Sequence, residues 1–206
     1  MIKIENIDVY GFETAIRGAR NPMNSWDRMD SCYNNGEFEI GENDYKLLKN
    51  LTIAGPEHRK WNRMVTVTMD ITAPLYWWKE YDTYKVGTVA NSCSTMHKIQ
   101  AKEFTLDDFS HEHLLPVVRE HLEEDIEWLN HYRGLYNKHK DKDFWWQMRQ
   151  MLPTSYNQKR TVHLNYEVLG TIYHQRRHHK LDEWVEFCKI VKEELPYSEF
   201  ITREFE

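Results

Sequence analysis

Between Leu115 and Tyr136, seven apolar or aromatic residues recur at intervals of three and four: Leu115, Val118, Leu122, Ile126, Leu129, Tyr132 and Tyr136. That spacing lays them along one face of a long amphipathic helix, which is stable only against a surface that buries the stripe. Pro116 leaves the start of the helix open, since proline is tolerated only in a first turn. Upstream, Met64–Ile71 alternates strictly, with Val65, Val67, Met69 and Ile71 on one face and Thr66, Thr68 and Asp70 on the other. A period of two is a strand with one buried side.

The rest of the chain follows the same logic. Ile2, Ile4, Ile7, Val9 and Phe12 alternate imperfectly and read as a first strand. Residues 13–50 show little periodicity beyond a short helix around Asp44–Leu51. Pro74 punctuates the chain, and Leu75-Tyr76-Trp77-Trp78 opens a helix behind it. After the charged break Lys138–Asp143 come a short helix from Phe144 to about Leu152, a helical stretch after Tyr156, and a last helix over Leu181, Trp184, Val185, Cys188 and Val191. Strands early and helices dominating the second half make the fold class α+β. At 206 residues the expectation is one domain, residues 1–206, with 1–57 an N-terminal extension of unassigned role.

Composition excludes several classes. A net charge of −6 argues against nonspecific nucleic-acid binding. Mean hydropathy is −0.79 and no run approaches a membrane span. Met1-Ile2-Lys3-Ile4-Glu5-Asn6 has neither the basic nor the apolar part of a signal peptide. Cys32, Cys93 and Cys188 are widely separated, without a CxxC pair, so the expected setting is reducing and cytoplasmic. His111, His113, His174, His178 and His179 invite a metal reading, but no H-E-x-x-H pattern supports one, and no metal is expected. Aromatic residues reach 14%, with eight Trp and twelve Tyr. They fit a core, a subunit interface or a ring-stacking site. Trp128, Tyr132, Tyr136 and Trp184, on or beside helical stripes, are assigned to the core; Trp77, Trp78, Trp145 and Trp146 fit an interface equally well.

Basic residues of the second half carry more information. Arg149, Lys159, Arg160, Arg176 and Arg177 fit surface charge, yet arginine also offers a planar fork for phosphate, carboxylate or a pyrimidine carbonyl. The series Arg149-Gln150-Met151-Leu152-Pro153, then Asn165-Tyr166-Glu167-Val168-Leu169, then Arg176 resembles the flavin-dependent thymidylate synthases, the ThyX family. That family has an Arg-x-x-Leu-Pro segment, an Asn-x-x-x-Leu helix and a following Leu-Arg. His58 stands where the family has a flavin-side histidine, with Val65–Ile71 and Ala73-Pro74 at the family's spacing.

The departures are equally specific. The family's Arg-His-Arg-x-x-Ser signature falls on Thr83-Tyr84-Lys85-Val86-Gly87-Thr88, where a lysine and a hydroxyl remain. Its following Glu, Ser and Arg fall on Asn91, Cys93 and Thr95, with Ser92 or Ser94 one residue away. Its second helix arginine is Glu167, and its Ala-Gln segment is Leu181-Asp182. Trp77, Trp78, Tyr81 and Tyr84 lie in and before the altered signature, as if rings had replaced cations there.

The resemblance implies a mixed sheet packed with long helices in the C-terminal half, assembled as a homotetramer with sites shared between subunits. It implies FAD as cofactor and dUMP as substrate, methylated with methylene-tetrahydrofolate by way of a flavin hydride and NADPH. Arg176 is then the catalytic residue, polarising the pyrimidine. Arg149, Arg176, Asn91 and Ser94 bind the nucleotide, and His58, Lys85, Thr88 and Asn165 bind the flavin. The alternative is a non-catalytic protein of the same fold that binds a nucleotide or a protein partner without flavin chemistry.

Overall fold

The computed structural model describes residues 2–205. Its strands are β1 (Lys3–Tyr10), β2 (Cys32–Asn34), β3 (Glu37–Glu39), β4 (Thr66–Pro74), β5 (Val89–Ser92) and β6 (Asn157–Asn165). Its helices are α1 (Phe12–Arg20), α2 (Glu42–Ala54), α3 (Leu75–Tyr81), α4 (Pro116–His139), α5 (Lys142–Met151), α6 (Tyr166–Arg176), α7 (Asp182–Glu194) and α8 (Glu199–Thr202). The main sheet has the order β1-β4-β6-β5, and β2 and β3 form an antiparallel hairpin with Tyr33 opposite Phe38. Tyr166 N donates to Val65 O at one end of the β4/β6 pair and Leu75 N to Tyr156 O at the other, which makes the two strands antiparallel.

The alternation of β4 is realised as read: Val65, Val67, Met69, Ile71 and Ala73 are all buried. Pro74 ends the strand in an extended conformation and serves as the N-cap of α3. The strand β6 overturns a helical reading of the stretch after Tyr156. Its inward positions begin with Gln158 and Arg160 before reaching Val162 and Leu164, so the period of two is hidden by polar residues. Gln158 is only 8% exposed because its Nε2 donates to the carbonyl of Cys93 and its Oε1 accepts from Arg160.

The chain packs as two compact units. The first comprises residues 2–4, Asp70–Thr83 and Ala90–Thr161. Within it, Leu122, Ile126 and Leu129 of α4 pack with Ile99, Phe104, Phe109, Trp145 and Met148. Only the middle of the predicted stripe is buried. Leu115 is 68% and Val118 43% exposed, and Trp128, expected in the core, is 53% exposed and stacked on Tyr132. α4 begins with Pro116 in its first turn. It ends at Lys140, in the left-handed region at φ 57, and Asp141 accepts from Asp143 N to cap α5.

The second unit comprises Glu5–Met69, Tyr84–Val89 and residues 162–205. Its core gathers Ile16, Leu48, Trp61, Val67, Leu164, Tyr166 and Phe200, with Trp61 edge-on to Phe200 at 4.8 Å. The segment without evident periodicity contains α1, whose buried face is Phe12, Ala15, Ile16 and Arg20. Arg20 donates from Nε to Asp44 at 2.6 Å, and both side chains are sealed from water. Asp44 also accepts from Ser31 Oγ and from the backbone of Asp30 and Ser31. A charge inside the apparent apolar stripe of α1 is what masked that helix in the sequence.

Candidate functional site

Asn165 ends β6 and caps α6. Its Oδ1 accepts from Val168 N at 3.0 Å, satisfying a free N–H of the first turn. Its Nδ2 has no partner among the described residues. The loop Tyr84–Val89 is pressed against this turn. Gly87 has φ +78, and a Cβ there would stand 3.2 Å from both Asn165 Nδ2 and Val168 Cγ2. Glycine is favoured there by the positive φ, and a Cβ would in addition press on both side chains. Thr88 Oγ1 donates to the Tyr84 carbonyl, closing the loop on itself, and Lys85 is exposed on it.

Tyr84 carries the same loop to the last turn of α6. Arg176 Nε donates to the Tyr84 hydroxyl at 2.9 Å, and that hydroxyl donates to Gln175 Oε1 at 2.9 Å. A terminal nitrogen of Arg176 lies 2.9 Å from His179 Nε2. The guanidinium carbon is 5.7 Å from the Tyr84 ring centre and 5.0 Å from that of Trp184. Rings on the guanidinium and hydrogen bonds at its edge hold the half-buried cation in one orientation.

His58 lies in the turn before β4 and lines a cavity of about 600 Å³. Leu51, Met64, Ala19 and Pro22 make its wall apolar, and Glu57 and Lys60 stand beside the exposed His58. Trp61 also lines it; the indole is 2% exposed and its N–H has no acceptor. Next to His58, Arg59 Nε donates to Glu167 at 2.8 Å. The His58 turn and the Tyr84–Val89 loop thus both reach the first turn of α6.

Three candidates belong to the first unit. Arg149 donates to Thr95 Oγ1 at 2.5 Å and lies 6.0 Å from the Trp145 ring centre. Ser94 Oγ accepts from the N–H groups of Met96 and His97, so this hydroxyl closes its own turn. Asn91 is exposed on β5.

The rings of the altered signature divide in a way the sequence reading did not foresee. Trp77 and Trp78 are fully buried and Tyr81 is 2% exposed, so they build the core of the first unit and do not replace cations at a surface. Burial pushes the Tyr81 phenol well above its ordinary range, with Asp82 adding to the effect. Tyr84 alone of the four meets a candidate residue. His174 lies within α6 and His178 beyond its end, so they share no helix face. Among the described residues, no three His, Cys, Asp or Glu side chains gather into a group able to hold a metal. Sequence reasoning missed Tyr84, His179 and Trp184 as partners of Arg176. It also missed Arg59 as the partner of Glu167, although an arginine-to-glutamate change calls for a cation nearby.

No protein-family model matches the sequence, and no curated protein matches it. Solved structures do. The chain is similar to Thymidylate Synthase X (ThyX) from Helicobacter pylori, crystallised with FAD and dUMP, with a TM-score of 0.69 at 15% identity over 97% of this chain and 96% of that one. A second structure of the Helicobacter pylori flavin-dependent enzyme, complexed with FAD and dUMP, gives 0.68 at 15% identity over 95% and 96%. The fold is that of these proteins.

Proposed function

With the fold of the flavin-dependent thymidylate synthases as premise, we propose that this protein binds a pyrimidine nucleotide such as dUMP together with FAD and modifies the base. The observation that carries the reading is Arg176, oriented by Tyr84, His179 and Trp184 at one end of α6 while Asn165 stands at the other. A fixed guanidinium aimed at a pyrimidine carbonyl stabilises the negative charge that develops when the ring is attacked. Arg149 and Arg176 serve as the nucleotide's cationic contacts, with Asn91 and Ser94 contributing polar ones.

The residues present suit a flavin in part. The cavity at His58 offers an apolar wall of Leu51, Met64, Ala19 and Pro22, which matches the face of a planar ring. Asn165 Nδ2 and Thr88 add polar contacts, and Lys85 is the one cation of Thr83–Thr88 left for a diphosphate. Bound there, the flavin supplies hydride chemistry. The chain's own part is to bind, to orient and to stabilise charge.

A second reading, nucleotide binding without flavin chemistry, is favoured by the loss of two of the three cations of the signature. Each charged hydrogen bond lost costs about 1.5–3 kcal/mol. An absorption scan of the purified protein separates the two readings. A flavin band at roughly 450 nm, or a spectral response to added FAD, supports the first; neither supports the second. For the nucleotide, dUMP at about 100 times its dissociation constant adds about 2.7 kcal/mol of stability, read as a rise in Tm. Arg149→Ala and Arg176→Ala should abolish that rise. A rise that survives both removes the site assignment. Assembly as a homotetramer is part of the proposal, supported by the exposed Leu115, Val117, Val118 and Trp128. Mass photometry giving a monomer would overturn it.

A further inference from the structure

Beside the first and last turns of α6 stands a local cluster of cations that the nucleotide reading leaves unused. Glu167 lies in the first turn of α6, and Arg59 donates from Nε to both of its oxygens, at 2.8 and 3.1 Å. Arg203, which caps α8 with φ 59, brings a terminal nitrogen to 3.9 Å from the same carboxylate. Two guanidinium groups therefore share one carboxylate. Beside them, Arg177 and Lys192 share Glu204, at 3.0 and 2.7 Å. Four cations face two carboxylates, in a chain whose net charge is −6.

The donors are not used up. Arg59 commits only Nε to Glu167, and its terminal nitrogens have no partner among the described residues. Arg203 Nε is buried without an acceptor. The side chains are 11% (Arg59), 15% (Glu167) and 30% (Arg203) exposed, so the cluster is partly shielded from bulk water and most accessible at Arg203. The surroundings register the potential. Burial, Arg203 and Arg177 hold the His174 imidazole below its ordinary range. Burial and Arg59 hold Arg203 below the ordinary range of an arginine. Fastening the turn before β4 to α6 needs only one arginine on Glu167. A second one, with donor edges left over, is a planar fork matched to a tetrahedral oxyanion.

We propose that Arg59 and Arg203 form a subsite for a phosphoryl group, with Glu167 the post that holds Arg59 in place. Its ligand is either free phosphate or the phosphoryl group of a nucleotide. It stands apart from the assignment of dUMP to Arg149 and Arg176, because free phosphate alone is enough to reveal it.

Calorimetric titration of the full chain at low salt tests this, with inorganic phosphate, dUMP and deoxyuridine as probes and chloride at equal ionic strength as the control. Phosphate should bind, and Arg59→Gln and Arg203→Gln should each weaken it by about tenfold, the worth of a charged hydrogen bond. Glu167→Gln should tighten phosphate several-fold, since it removes the repelling carboxylate and leaves an oxygen for Arg59. A purely structural pin gives no such opposite sign. Far-ultraviolet circular dichroism checks that each variant is folded. If Arg59→Gln unfolds, Arg203→Gln and Glu167→Gln decide. A greater loss for dUMP than for phosphate in the arginine variants assigns the subsite to the nucleotide; an equal loss assigns it to the free ion, and both support the site. Phosphate that binds no better than chloride, or binds all folded variants equally, overturns it. Arg59-dependent phosphate binding with no response to dUMP or FAD keeps this site and removes the nucleotide reading.

Discussion

Trp77, Trp78 and Tyr81 in α3 and Tyr84 three residues later are the same kinds of side chain put to opposite uses. In α3 the rings pack on one another. Trp77 and Trp78 meet edge to face at 4.9 Å, Trp77 and Tyr81 stack at 5.3 Å, and Trp78 Nε1 donates to the Gln158 carbonyl at 2.8 Å. Arg160 lies 4.2 Å from the Trp78 ring centre and is neutralised by Asp82 at 2.8 Å. Tyr84 stays half-buried, its hydroxyl accepting from Arg176 and donating to Gln175. Ring content therefore says little about role. What decides is whether the ring is enclosed by the core, as Trp77, Trp78 and Tyr81 are, or left half-buried against a guanidinium, as Tyr84 is against Arg176.

The widest gap between the two regions should be in stability. Trp78→Ala removes a fully buried indole, its hydrogen bond and the seat of Arg160, and should cost about 4 kcal/mol in urea unfolding. A loss below about 1 kcal/mol would break the comparison, since large-to-small core changes cost several times that. Gly87→Ala forces a side chain into the left-handed region and against Asn165, for about 2 kcal/mol. Because the same loop carries Tyr84, the fluorescence of Trp184 should change with it. Asn165→Ala should cost about 1 kcal/mol through the lost cap, whereas Asn165→Asp keeps the cap and most of the stability. Tyr84→Phe should cost about 0.5–1 kcal/mol, and the dUMP-induced rise in Tm should shrink by more than the stability does.

The smallest effect expected is one of pH. His174 is held below the ordinary imidazole value of 6.5 by burial and by Arg203 and Arg177, so the folded protein resists the proton that the unfolded chain takes up. Its contribution is present above about pH 6.5 and is lost as pH falls through the depressed folded value. His174→Gln should flatten that part of the stability curve, measured as Tm between pH 7 and pH 5.

The parts of the fold that were legible are those where one physical effect dominates. Val65, Val67, Met69 and Ile71 alternate because β4 buries one side, and Leu122, Ile126 and Leu129 repeat because α4 buries its middle. β6 was illegible because Gln158 and Arg160 occupy inward positions and are satisfied by partners far away in sequence, Cys93 and Asp82. A polar residue placed inside by a distant acceptor leaves no local trace. α1 was lost for the same reason, through Arg20 and Asp44. At the candidate site, Asn165 and Arg176 were named through the family resemblance. Their partners Tyr84, His179 and Trp184 come from other segments and were not legible as such.

The cap formed by Asn165 makes its amide a one-way reader. With Oδ1 accepting from Val168 N, the flip of the amide is fixed and the N–H bonds of Nδ2 are left over. A molecule that reached Nδ2 would be met by a donor, so a carbonyl or an unprotonated ring nitrogen would fit that atom best. Asn165→Asp keeps the helix start and inverts that preference. The start of one helix thus fixes which edge of its capping amide is the donor.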